Sequence, residues 1–152
     1  MLSVDDTSFV KKGTHCIGVK RQYCGSLGKR ENCQVGVFLS YAGDSGYGLV
    51  DYDLYIPEEW FQDLYQDLRT RCRLPGHKRF LTKNRIAQGL INHAYGPGRF
   101  LAQWVGCDAA YGCDHAFLYA EDCMLSHKTE SSCLLLDYQF LSSPRAIKNE
   151  NT

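Results

Sequence analysis

Two β-rich runs separated by a short turn set the limits on what this chain can fold into. Gln34-Val35-Gly36-Val37-Phe38-Leu39-Ser40-Tyr41 is dense in β-formers, Ala42 to Gly46 is turn chemistry, and Tyr47 to Ile56 alternates Leu49, Tyr52 with Leu54, and Ile56. The pair predicts an antiparallel hairpin. A hairpin with one apolar face needs cover, and the helical patterns that follow can supply it.

Pro57, Glu58 and Glu59 predict a helix start, because proline fits a first turn and acids there suit the helix dipole. Trp60, Phe61, Leu64, Tyr65 and Leu68 would form its apolar face, and Pro75-Gly76 would stop it. A second helix is expected from Thr82 as cap, with Ile86, Ala87, Leu90, Ile91 and Ala94 inward, until Gly96-Pro97-Gly98. Phe100 to Cys107 then predicts a buried strand that ends in Asp108, with Trp104, like Trp60, assigned to packing. At the other end, Leu2-Ser3-Val4 predicts the stub of a strand that stops at Asp5-Asp6-Thr7. Lys11 to Thr14 predicts a turn, Cys16 to Tyr23 an extended run, and Gly25 to Asn32 a polar loop. Strand, hairpin, helices and strand together imply an α/β arrangement, in which the first and the post-helical strands lie side by side and parallel.

With 152 residues the chain has room for one sizeable core. A hydrophobic share of 44% and a charged share of 22% place it among globular chains, and the apolar runs are too short for a membrane-spanning helix. No signal-peptide pattern is visible, so the cytoplasm is the expected location. Eight scattered cysteines without an export signal are expected to be free thiols, and their spacing does not suit zinc. The net charge is +0, yet between Asp67 and Asp108 there is no acid while Arg69, Arg71, Arg73, Lys78, Arg79, Lys83, Arg85 and Arg99 fall there. Such a block can track a phosphate backbone or be ordinary solvated surface.

Asp5 and Asp108 each follow a predicted strand, and functional groups of open α/β sheets gather at such ends. Two adjacent carboxylates repel unless a cation lies between them, and Mg²⁺ is held by one or two carboxylates plus substrate phosphates. The pair thus suits metal-dependent phosphoryl chemistry, although aspartate after a strand is commonly a turn former or helix cap.

DDTSF (5–9), KKGTHCIGVKRQYCGSLGKRENCQVGVFLSYA (11–42), DLYIPEEWF (53–61) and WVGCDAAYGCDHAFL (104–118) resemble, in order, the catalytic domain of insertion-sequence transposases of the seven-oh-one type, which are DDE enzymes. The resemblance implies an α/β fold with an incomplete ribonuclease-H-like mixed sheet and flanking helices. It also implies a Mg²⁺- or Mn²⁺-dependent enzyme that nicks DNA at transposon ends and joins the freed 3′-hydroxyl to a target, acting as a homodimer. Carried over, the first catalytic, metal-binding aspartate falls on Asp5 and the second on Asp108. Asp6 is the less favoured ligand, because consecutive strand residues point to opposite faces. Lys11, Lys12, Lys20, Arg21, Lys29 and Arg30 would line DNA, and His115 is more often a surface or capping residue than a phosphate contact.

Beyond Tyr119 the resemblance fades. A partial catalytic domain is therefore expected over 1–118 and a divergent tail, read as frameshifted, over 119–152. The family's third carboxylate is a glutamate on a late helix. Glu121, Glu130 and Glu150 lie in no matching motif. A transposase fragment, inactive alone, is the expectation, and a non-catalytic DNA-binding or inert remnant of an insertion sequence is the alternative.

Overall fold

The structure, a computed structural model, describes residues 1–96, 100 and 102–118, and the backbone alone of 133–137. Strands β1 (Leu2–Val10), β2 (Lys20–Cys24), β3 (Lys29–Gly43), β4 (Gly46–Tyr55), β5 (Trp104–Asp108) and β6 (Cys133–Asp137) form one mixed sheet. β3 is antiparallel to β1, β2 and β4, whereas β5 runs parallel to both β1 and β6. β2 and β4 take successive stretches of one edge of β3, so the main order is β4-β3-β1-β5-β6. This is a mixed α/β arrangement compatible with a ribonuclease-H-like domain.

Alternation builds the core. Leu2 and Val4 of β1, Val37 and Leu39 of β3, and Val105 and Cys107 of β5 point to one face. Helix α2 (Lys83–Tyr95) covers that face with Ile86, Ala87, Leu90, Ile91 and Ala94, the predicted set, joined by Tyr95. Thr82 caps it, its hydroxyl accepting from the Arg85 amide at 3.3 Å. Each fully buried aliphatic side chain here contributes about 1.5–3 kcal/mol relative to exposure. β4 lies at the sheet margin, where Tyr47, Leu49 and Tyr52 are solvent-exposed. A register shift between Leu39 and Ser40 leaves Val50 as the extra residue of a β-bulge.

Five sequence expectations need correction. β1 does not stop before the aspartates but runs nine residues through them, because β3 pairs every position from Leu2 to Val10. A continuous partner ladder outweighs the poor β-propensity of Asp5 and Asp6. The expected 25–32 loop is shorter: a 3₁₀ turn over Gly25–Leu27, Gly28 in the left-handed region at φ 63°, and then β3 from Lys29. The run before it is extended only over β2. The helix after Pro57 breaks into 3₁₀ turns at Glu58–Phe61 and Asp63–Tyr65, and only α1 (Gln66–Arg71) is α-helical. Trp60 is buried, with its indole N–H donating to the Val19 carbonyl at 3.1 Å, so tertiary anchoring sets that backbone while Leu64 points outward. Finally, β5 begins at Trp104 rather than Phe100, and Trp104 is 37% exposed, so only one face of that strand is packed.

After α1 the chain turns through Arg73, the one non-glycine residue with positive φ (55°) among the described residues. Its amide donates to the Thr70 carbonyl and that of Leu74 to the Arg69 carbonyl, closing the helix in a left-handed cap where glycine is the usual occupant.

Candidate active site

The pairing of β1 with β5 covers Leu2 to Val4 opposite Val105 to Cys107. Asp5 and Asp108 therefore emerge together where the parallel pairing ends. Ligand oxygens of Asp5, Asp6 and Asp108 all lie within 4.8 Å of one another. The structure thus brings together the two predicted aspartates and adds Asp6, which strand alternation had placed on the far face. Beyond Val4 the β5-facing edge of β1 is no longer paired, so neighbouring acids from both faces can share the open space. The signal was present as the Asp5-Asp6 doublet.

Each acid has a distinct setting. Asp5 Oδ1 accepts from the Asp6 amide at 2.7 Å, and Asp6 Oδ2 is bound by Lys83 of α2, whose ammonium also lies 5.8 Å from the Tyr55 ring centroid. Asp108 Oδ1 caps helix α3 (Ala109–Gly112), accepting from the amides of Ala110 at 2.9 Å and Tyr111 at 3.3 Å. The capping role therefore holds for one of its oxygens. Although Asp5 is open to solvent overall, burial of its carboxyl end pushes its pKa above the usual carboxylate range. The charges of Asp6 and Asp108 add to the rise, and the Asp6 amide and Lys83 oppose it.

Three carboxylates against one lysine leave a residual charge of about −2, equal in size and opposite in sign to one divalent cation. All the donors are oxygens, which suits a hard ion such as Mg²⁺ or Mn²⁺. Tyr111 adds a further observation. It is 2% exposed, and its hydroxyl has no hydrogen-bond partner among the described residues. Burial first, then the charges of Asp6, Asp108 and Asp5, push its pKa upward, so the phenol stays protonated beside the acids. An unsatisfied buried donor next to crowded carboxylates fits a site that takes a further oxygen ligand. These residues fit a divalent ion.

The predicted DNA-lining residues are not gathered here. Lys11 and Lys12 follow β1, and Lys20, Arg21, Lys29 and Arg30 belong to the β2–β3 hairpin. From Asp6, five residues of strand to Lys11 span roughly 17 Å. Several of these residues have local partners: Lys20 pairs with Glu59, Lys29 with Glu31 at 3.8 Å, and Arg30 donates to the Arg21 carbonyl at 3.4 Å. His115 is exposed, and Glu121, Glu130 and Glu150 lie outside the described residues. Cys16, Cys24, Cys33, Cys72 and Cys113 are free thiols, as expected, and Cys123 and the side chain of Cys133 lie outside the described residues. No helix among the described residues is long and apolar enough to cross a membrane.

A mixed sheet with clustered aspartates at the ends of its central parallel pair is compatible with a ribonuclease-H-like DDE domain. Residues 1–125 match the family model described as DDE superfamily endonuclease, and the chain belongs to that family. No curated protein and no solved structure matches it. The domain is of transposase type, which implies DNA as substrate, and the family generally uses divalent metal ions.

Proposed function

We propose that this chain is an insertion-sequence transposase domain that binds Mg²⁺ or Mn²⁺ through Asp5 and Asp108, with Asp6 as an additional oxygen donor, and acts on DNA at transposon ends. The observation that carries this reading is the convergence of the three carboxylates within 4.8 Å beside the end of β5. When bound, the metal supplies charge neutralisation and an activated water or 3′-hydroxyl for attack on a phosphodiester. The chain's own residues hold the acids in place: the α3 amides orient Asp108, the Asp6 amide orients Asp5, and Lys83 steadies Asp6. Dimerisation, as in intact transposases, belongs to the same proposal.

Among the described residues no glutamate joins the cluster. That observation favours a second reading, in which the chain binds DNA and cuts slowly or not at all, because positioning and charge neutralisation fail together when a ligand is lacking. The two readings part in a plasmid assay. Supercoiled DNA is incubated with Mn²⁺ and the wild type, Asp5→Ala or Asp108→Ala. Nicking by the wild type alone supports catalysis, and equal nicking by all three ends it.

A further inference from the structure

We infer that the concavity between α1 and the loop leading to α2 is the track for the DNA backbone that flanks the acid cluster. It measures about 690 Å³ and is lined by Arg69, Arg73, Lys78 and Arg79 with no carboxylate among its lining residues. Three of these cations are held in place in advance. Arg69 donates to the carbonyls of Trp60 at 2.6 Å and Gln62 at 2.7 Å, and Arg79 to those of Gly76 at 2.7 Å and Lys78 at 3.0 Å. Carbonyl partners fix a guanidinium without cancelling its charge, which lowers the entropic cost of binding a polyanion. Lys78 is tied to both oxygens of Asp53 at 2.7 Å.

Strand register ties this groove to the site. Asp6 and Asp53 both pair with Val37, so the anchor of Lys78 and the partner of Lys83 occupy one rung of the sheet. Two interstrand spacings separate them, about 10 Å. One DNA strand carries a charge per roughly 3.4 Å of axis, so about three phosphates bridge that interval. Charge complementarity thus selects a phosphodiester backbone as the occupant, and the inference deepens the nuclease reading on which it rests. The fourth cation, Arg73, is exposed, sits in a left-handed cap that glycine fills more comfortably, and has no ion pair among the described residues. An arginine held in such a conformation points to a role for its charge.

Arg73→Gly separates that role from folding, because glycine relieves the backbone while deleting the cation. Binding of a duplex oligonucleotide is measured in EDTA at 50 to 200 mM salt for the full chain, Arg73→Gly, and Lys29→Gln on the hairpin. In EDTA the readout is independent of cleavage, so failure of the groove and failure of the nuclease reading are told apart. The expected result is a melting temperature at or above wild type for Arg73→Gly, with weaker binding at low salt. Its log–log salt slope should be shallower by about 0.9, so that the affinity lost over the fourfold salt rise is about 3.5-fold smaller than for wild type. Unchanged affinity and slope in Arg73→Gly, or an effect confined to Lys29→Gln, would overturn the inference. If Arg73→Gly melts lower, Arg73→Lys must restore both binding and slope for the inference to stand.

Discussion

Asp108 and Asp114 sit six positions apart and perform the same local task, yet only Asp108 joins the acid cluster. Asp108 caps α3 through the amides of Ala110 and Tyr111; Asp114 caps the helical residues 115–118 through those of Ala116 at 3.0 Å and Phe117 at 3.2 Å. Asp114 has a neutral companion, the Asn84 amide at 3.0 Å, whereas Asp108 faces two further carboxylates. The Phe117 amide, chiefly, holds the Asp114 pKa below the usual carboxylate range, while burial first, and then the charges of Asp6 and Asp108, push Asp5 above it. A capping bond is therefore silent on function, and what distinguishes Asp108 from Asp114 is the company of two further carboxylates.

The largest effect that can break this comparison is on cleavage. Asp108→Asn keeps a capping oxygen and removes the carboxylate charge proposed to hold the metal, so Mn²⁺-dependent nicking should fall by on the order of 10²–10³ while thermal melting stays near wild type. Asp108→Ala should lose both. A variant that melts normally and still nicks would remove Asp108 from the site. Next in size, Asp114→Ala should lower the melting temperature by on the order of 3 °C through loss of a cap, with nicking unchanged relative to the folded fraction. A specific loss of cleavage in that variant would extend the site beyond the acid cluster.

The smallest effect is in the pH dependence, where the two environments have opposite signs. Asp114, with its folded pKa lowered, contributes stability above its unfolded pKa and loses it as pH falls through the folded value. Asp5, with its folded pKa raised, is favourable while protonated, and that contribution disappears as pH rises through the folded value. In EDTA at pH 7, Asp5→Asn should therefore melt higher by on the order of 1–2 °C, a modest figure because solvent screens the site. Excess Mn²⁺ should reverse the ranking, and melting curves with and without the ion check both signs.

The sequence made some elements legible and hid others for definite reasons. Helix α2 was readable because its cap, its apolar spacing and its glycine stop agree, and the β3–β4 hairpin because turn chemistry and β-formers agree. The full length of β1 was not, since Asp5, Asp6, Thr7 and Ser8 look like a strand end until β3 is known to run alongside them. Trp60 was placed correctly in the core but in the wrong kind of helix, because its bond to Val19 is a contact across 41 positions. In the site, Asp5 and Asp108 are legible from predicted strand ends and from the resemblance, and the structure brings them together. Asp6 required knowing that β5 stops pairing at Val4, a fact of register rather than composition. Lys83 was visible only as one of eight basic residues, and its partnership with Asp6 spans 77 positions.

The margin of the sheet has a consequence for how this chain behaves in concentrated solution. A long strand with exposed Tyr47, Leu49 and Tyr52 would ordinarily be a template for pairing with a second molecule. β4 is poorly suited to that task. Gly46 and Gly48 weaken it at one end, the bulge at Val50 breaks the hydrogen-bond rhythm in its middle, and Asp51 and Asp53 lie just past the bulge. Those acids, tied to His93 and Lys78, draw the strand toward the helical side of the sheet. The irregularities thus act as a colloidal safeguard, keeping an aromatic edge from growing into an intermolecular sheet.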